Sequence, residues 1–309
     1  MQILIQLVFL IAGFVLLVKG ADFFVDGAAS IARKMGVPQL IVGLTIVAMG
    51  TSLPEAAVSI TSAINGSAGI TVGNAVGSNI MNILVILGVT AVITNVAIQD
   101  STLKVEIPFM IAITVLLGIF GYTGGAITLV EGVCFWGLFI IFLGYLFWMA
   151  KKGNSDDEDA KDMATWKCII CILVGAFFIV KGSDFAVLGA TGIARIIGMS
   201  ERFIGLTIVA FGTSLPELVT SVTAAKKGNT GIAIGNIVGS NIFNILFVVG
   251  TTALICKVPF EKSFIIDTLV AVGAAVILWI GTIKHKELRR PCGVIMLLAY
   301  AGYFCYLLI

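Results

Sequence analysis

The chain has 309 residues, 59% of them hydrophobic and 12% charged, with a mean hydropathy of +1.11 and a net charge of +2. A soluble domain carries about 25% charged residues, so a soluble globular protein is excluded; the small net charge and the lack of a basic aromatic patch exclude a nucleic-acid binder. His285, the single histidine, leaves no room for a histidine-rich metal cluster or a histidine-based catalytic triad.

Apolar runs of about 18–25 residues read as membrane-spanning helices. The first covers 3–20. No basic residue precedes it and Lys19 closes it, so it lacks the charge order of a cleaved signal peptide and is expected as a retained helix. Further spans are expected at 38–64, 69–95, 105–122 and 126–149. The polar stretch Lys151–Lys167 contains "NSDDEDAKD" and reads as a solvated loop, because its acids lack the spacing of an EF-hand. Five more spans follow at 166–182, 201–226, 231–256, 264–283 and 291–309. The expected fold is an all-α integral membrane protein of ten transmembrane helices: a first five-helix unit (1–150), an acidic linker (151–165) and a second five-helix unit (166–309). Most basic residues, among them Arg33, Lys34, Lys104, Lys151, Lys152 and Lys286, fall after odd-numbered spans. That asymmetry puts the odd loops and the linker in the cytoplasm of a cell with one inner membrane, and both termini outside.

Cys134, Cys168, Cys171, Cys256, Cys292 and Cys305 lie in or beside apolar runs. Cys168 and Cys171 have CxxC spacing without a second pair, so packing is favoured over zinc or redox chemistry. Trp136, Trp148, Trp166 and Trp279 read as interfacial anchors or packing, and Glu106, Glu131 and Asp267 as interfacial charges.

At an offset of 162, "GLTIVAMGTSLPE" (Gly43–Glu55) meets "GLTIVAFGTSLPE" (Gly205–Glu217), and "GNAVGSNIMNIL" (Gly73–Leu84) meets "GNIVGSNIFNIL" (Gly235–Leu246). From Gly43 to Ala91 the two copies share 31 identities in 49 positions. The chain is a duplicated five-span unit. Five is odd, so the second copy enters the membrane from the opposite side. Inverted repeats point to a transporter with its substrate near the midplane at the repeat interface.

Glu55 and Glu217 fall about halfway along spans two and seven. A charge at bilayer depth costs about 2.5–3.5 kcal/mol on insertion scales, so it is expected to face a cavity and to function there. Pro54 and Pro216 have no N–H for the carbonyls of Gly50 and Gly212. Carbonyls near Ala48, Gly50 and Thr51, and near Ala210, Gly212 and Thr213, are therefore expected to be freed; such backbone is tolerated only where it lines a cavity. The expected donors are hard oxygens without sulfur or imidazole, which suit Na⁺, K⁺, Ca²⁺ or Mg²⁺, and a pair of carboxylates in flexible geometry fits Ca²⁺ better than Mg²⁺. Spans three and eight add Asn74, Ser78, Asn79 and Asn82, matched by Asn236, Ser240, Asn241 and Asn244. Asn74, Ser78 and Asn82 share a face that either lines the site or bonds to neighbouring helices. Gly73 and Gly77, like Gly235 and Gly239, have the spacing of close helix packing. Asp22 and Asp184 each follow a lysine by three residues and are expected in local ion pairs.

Duplicated "GTSLPE" and "GN-x-x-GSN" segments within inverted five-span units resemble the calcium/cation antiporter superfamily, and within it the prokaryotic sodium/calcium exchangers. The resemblance covers essentially the whole chain. It implies ten helices around clustered ion sites, with spans one and six sliding across the other eight. It also implies calcium binding by Glu55 and Glu217 with Thr51 and Thr213, and sodium sites from Ala48, Ser52 and Ser78 on one side and Ala210, Ser214 and Ser240 on the other, with Asn82 and Asn244 lining the centre. Many relatives carry aspartate where this chain has Asn244, which leaves two carboxylates here, enough to balance one Ca²⁺.

The function expected is exchange of Na⁺ for Ca²⁺ by alternating access, electrogenic and exporting Ca²⁺, with the ions and the lipid bilayer as partners and no cofactor, catalytic residue or obligate protein partner. The alternatives are a proton- or potassium-coupled antiporter and a passive cation channel. An intramembrane protease would need paired mid-span aspartates, which the sequence lacks. Neighbouring carboxylates repel each other's charge, so mildly acidic pH is expected to inhibit.

Overall fold

The computed structural model describes residues 2–66, 68–152, 163–199, 208 and 210–308. The acidic sequence expected as a linker, and the beginning of the span expected at 201–226, lie outside the described residues.

Helix α1 (Gln2–Lys34) is 33 residues long and does not stop at residue 20 as expected. Nothing breaks it before Gly36, which takes a left-handed φ of 62°. At 1.5 Å per residue it measures about 50 Å, well beyond the roughly 30 Å of hydrocarbon in a bilayer. It carries the exposed Lys19 and the half-buried Asp22. A bent pair follows, α2 (Gln39–Thr51) and α3 (Leu53–Ile64), broken at Ser52 by 49°. Pro54 in the first turn of α3 cannot bond back to Gly50, which accounts for the break. Then come α4 (Ile70–Ile93), α5 (Thr102–Gly124) and α6 (Leu129–Lys152).

The second half opens with α7 (Thr165–Ile196), again longer than the 166–182 expected, followed by α8 (Ala210–Thr213) and α9 (Leu215–Lys226). It ends with α10 (Thr230–Ile255), α11 (Ser263–Ile283) and α12 (Arg290–Leu308). Among the described residues, eight helices are long and apolar enough to cross a membrane, and the bent α2–α3 pair makes nine.

Helices α1 and α7 occupy the same place in their halves and run antiparallel along each other. Gly13 abuts Gly182 and Ala186, Gly20 abuts Gly175 and Ile179, and Gly27 abuts Cys168. A Cβ on Gly13 would sit 2.4 Å from Ala186 N, and one on Gly175 would sit 2.6 Å from Phe24 N. Cys168 therefore packs in this contact, fully buried and free.

Helices α4 and α10 lie at the centre, and each widens into a π turn at the same register, Asn82–Leu87 and Asn244–Val249. Gly235 and Gly239 let α10 approach the backbone of Leu40 and Leu44 on α2. Among the described residues, four two-residue strands, absent from the expected all-α pattern, join the halves at their loops: β1 (Val96–Ala97) pairs with β4 (Glu287–Leu288), and β2 (Ala126–Ile127) with β3 (Val258–Pro259). Lys286 bonds Asp100 across the first ladder at 2.7 Å.

Glu106, expected at the interface, is instead fully buried in a π turn at the start of α5 and accepts the Tyr145 hydroxyl of α6 at 2.5 Å. Asp267 is half-buried and accepts Tyr303 Oη at 2.9 Å, while Glu131 accepts the Thr128 N–H at 2.6 Å. Trp136 and Trp279 donate to Thr251 Oγ1 (3.1 Å) and Leu103 O (2.8 Å) inside the helix packing. Trp148 and Trp166 are exposed, with Lys152 and Lys167 over their rings. Lys181 pairs locally with Asp184 at 3.0 Å, but Asp22 does not take Lys19: Lys227, beyond α9, reaches Asp22 at 3.1 Å and Asp26 at 2.8 Å.

Candidate ion-binding site

The GTSLPE motif builds a helix break and then a new helix N-terminus at each copy. Glu55 lies in the first turn of α3 and Glu217 in the first turn of α9. The first-turn N–H groups of a helix carry partial positive charge, which favours an anion there. Both side chains are 1% exposed, and the two carboxylates are close enough to repel one another. Ser52, at the α2–α3 break, donates to Glu217 Oε1 at 2.9 Å, so the first break touches the second carboxylate directly.

Asn74 on α4 and Asn236 on α10 hold the glutamate backbones. Asn74 Nδ2 donates to Glu55 O (3.1 Å) and Ser59 Oγ (2.9 Å); Asn236 Nδ2 donates to Glu217 O (3.4 Å) and Ser221 Oγ (2.9 Å). Thr51 Oγ1 donates to Asn236 Oδ1 at 3.0 Å. Asn82 and Asn244 sit at the first position of their π turns, each 1% exposed.

The proline argument holds at Gly212, whose carbonyl accepts Ser183 Oγ of α7 at 2.7 Å. It does not hold at Ala48. That carbonyl, expected to be free, accepts the Ser52 N–H (3.0 Å) and Ser240 Oγ (3.4 Å), because the helix runs unbroken through Thr51. The hydroxyl that approaches Ala48 from the central helices is thus Ser240 of α10, whereas the resemblance grouped Ala48 with Ser78. Ser78 is buried on α4, one turn before Asn82. Ala210 and Thr213 begin and end α8.

Five buried oxygens of this cluster have no hydrogen-bond partner: Glu55 Oε2, Glu217 Oε2, Asn82 Oδ1, Asn244 Oδ1 and Ser214 Oγ. An unpaired buried acceptor costs about 1–3 kcal/mol, and more when charged. Glu55 and Asn82 of the first half match Glu217 and Asn244 of the second, and these are hard oxygens of the kind that Ca²⁺ and Na⁺ take. A cavity of about 390 Å³ lined by Pro54, Ser183, Asp184, Gly212 and Thr213 lies beside both motif copies, and its lining includes none of the five oxygens. Elsewhere a groove of about 470 Å³ ends at Asp22, Lys226 and Lys227 and touches none of these oxygens.

Sequence reasoning gave no separate role to Asn79, Asn241, Ser59, Ser221 or Ser183. The first four are retained in both copies, a signal that was present; Ser183 has Ala21 as its counterpart and left none.

Residues 5–148 and 167–309 match the sodium/calcium exchanger protein family. The chain is 40% identical over 312 residues to CaxA of Alkalimonas amylolytica, covering 97% of this chain and 98% of that one. It is 33% identical over 347 residues to the sodium/calcium exchanger MaX1 of Methanosarcina acetivorans, covering 99% of both. Its structure resembles that of the sodium-calcium exchanger NCX_Mj soaked with zero Na⁺ and Ca²⁺, with a TM-score of 0.86, 31% identity and 99% of both chains covered. Motifs and fold agree with these matches, and the chain is a multi-pass membrane protein of the sodium/calcium exchanger family.

Proposed function

We propose that this protein exchanges Na⁺ for Ca²⁺ across a cell's inner membrane by alternating access, through ten transmembrane helices arranged as two inverted five-helix repeats. The antiparallel α1–α7 pair and the cross-matched strand ladders support the inversion. The observation that carries the function is the cage: a carboxylate and a carboxamide from each half, each with a buried oxygen left unpaired.

Glu55 and Glu217 hold Ca²⁺ with the Thr51 and Thr213 backbone and the Asn82 and Asn244 carbonyls. Ala48, Ser52, Ser78, Ala210, Ser214 and Ser240 serve the flanking Na⁺. Because both ions need the same two charges, one must leave before the other settles, and that competition makes transport an exchange. With three Na⁺ per Ca²⁺, one charge crosses per cycle and couples transport to voltage at about 2.3 kcal/mol per 100 mV. The charge distribution favours a cytoplasmic linker and external termini, and an inward Na⁺ gradient then drives Ca²⁺ out.

Purified protein in liposomes tests this. Calcium uptake is measured against imposed Na⁺, K⁺ or proton gradients, with the membrane potential clamped at two values. The sodium gradient alone is expected to drive uptake, faster at the voltage that favours net charge movement. Uptake driven by protons and not by sodium would overturn the reading, and flux without any counter-ion would indicate a channel.

A further inference from the structure

Four asparagines on α4 and α10 bond across the contact between the halves. Asn82 Nδ2 donates to Asn241 Oδ1 at 2.9 Å, and Asn244 Nδ2 donates to Asn79 Oδ1 at 3.2 Å. Asn79 and Asn241 use their own amide hydrogens on each other's backbone: Asn79 Nδ2 to Asn241 O at 3.1 Å, and Asn241 Nδ2 to Asn79 O at 3.3 Å. All four side chains are at most 2% exposed.

A carboxamide has two ends of nearly the same shape and opposite polarity, one an oxygen acceptor and the other an NH₂ donor. A cation tolerates only the oxygen. Shape alone would let Asn82 turn either end toward the cage. The hydrogen bonds do not. A backbone carbonyl only accepts, so Asn79 O requires the NH₂ end of Asn241. That turns Asn241 Oδ1 toward Asn82, which must answer with its own NH₂. The oxygen of Asn82 is then the end left over, and it is one of the buried atoms without a partner. The mirror chain runs from Asn241 O through Asn79 to Asn244 and also ends in an unpartnered oxygen. Reversing Asn82 would set two acceptors against each other and aim a donor at the cation.

We infer that Asn79 and Asn241 are positioning residues: each relays the polarity of a backbone carbonyl across the contact between the halves, so that Asn244 and Asn82 present oxygen to the transported cation. The inference rests on the ion site proposed above and deepens it. It also explains why two asparagines three residues apart, Asn79 and Asn82, recur together in the second copy as Asn241 and Asn244. The member nearer the ion is of use only with the other behind it.

The test is a double-mutant cycle on the purified full chain, read by Ca²⁺ titration in the absence of Na⁺. Asn241→Leu frees the Asn82 amide and is expected to weaken Ca²⁺ binding about 10-fold or more, the scale of a hydrogen bond to a charged group. In an Asn82→Asp background the same substitution is expected to cost no Ca²⁺ affinity or to raise it, because a carboxylate shows oxygen at both ends and its second oxygen opposes Asn241 Oδ1. A residue that merely packs would cost the same in both backgrounds, and equal losses overturn the inference, as does no loss in the unaltered background. Should Asn241→Leu not fold, Asn79→Leu with Asn244→Asp repeats the cycle through the mirror chain. In the unaltered protein carrying ¹³C-labelled asparagine, Ca²⁺ is expected to shift a side-chain carbonyl band in the infrared, and an unmoved band also overturns it. Glu55→Gln separates the two levels. Unchanged Ca²⁺ binding in that variant sinks the site itself, whereas lost binding there beside an unaffected Asn241→Leu sinks only the relay.

Discussion

Glu55 and Glu217 are each buried at a helix N-terminus with one oxygen unsatisfied, and they repel each other when no cation lies between them. Two opposite consequences follow for one substitution. Glu55→Gln or Glu217→Gln removes half the charge that holds a divalent ion, a loss of about 3–5 kcal/mol by analogy with broken buried ion pairs, so Ca²⁺ uptake is expected to fall about 100-fold or more. The same variants relieve the repulsion in the ion-free protein. Their melting temperature in chelator without Na⁺ is expected to exceed that of the unaltered protein, while the stabilisation by added Ca²⁺ disappears. Protons compete for the same oxygens, so uptake is expected to slow reversibly at mildly acidic pH, each bound proton cancelling a charge a cation needs. A loop carboxylate does not produce that effect. The Lys286 ammonium bonds Asp100 and holds its carboxyl below the usual carboxylate range. A lowered carboxyl contributes its stability above the unfolded value, near pH 3.9, and loses it only as the pH falls further. In chelator without Na⁺ the melting temperature at pH 6 is expected to hold or rise, since a bound proton relieves the same repulsion as Glu55→Gln; a fall there beside slowed uptake would mean that the fold and not the cage is titrating.

At the level of helices, the glycines between α1 and α7 set the spacing of the pair. The atoms a new Cβ would meet at Gly13 and Gly175 are backbone, which cannot turn aside as a side chain can. Gly13→Ala and Gly175→Ala are each expected to destabilise by about 1–3 kcal/mol, the range for overpacking, measured as melting in lipid nanodiscs. Gly36→Ala tests a different cause, since open space surrounds it and only its left-handed φ of 62° resists a side chain; a loss of about 1 kcal/mol is expected. The full length of these helices was not legible in the sequence. Hydropathy falls at Lys19 and Lys181, and a span ends there on that criterion, yet a helix stops only where a breaker or a cap stops it, and none occurs before Gly36 or Gly198. The α2–α3 break was legible, because a proline states its own missing bond. The burial of Glu106 was not, because the hydroxyl that holds it comes from Tyr145 on another helix. In the site, the paired glutamates and carboxamides could be read from their duplication. Which hydroxyl meets which carbonyl could not, since Ser240 approaches Ala48, and Ser52 approaches Glu217, only once the halves interlock.

Across the whole molecule, the central helices and the loop ladders of one half are completed by the other. The Asn79 and Asn241 side chains exchange bonds reciprocally, and Glu217 accepts the Ser52 hydroxyl of the opposite half. The ladders obey the same rule: shifted by 162 positions, β1 falls on β3 and β2 on the edge of β4, so the two ladders are one pairing made twice.

Those ladders bear on how the protein could be taken apart. Because β1 finds its partner only in the later half, and β2 likewise, neither half closes its own loops. Cut into 1–152 and 163–309 and produced as two chains, the protein is expected to accumulate and carry Ca²⁺ only when both pieces are made in the same cell, each stabilised by the other, while either alone is degraded. Two lone fragments, each stable and each folded, would mean that the crossed strands merely decorate two finished units.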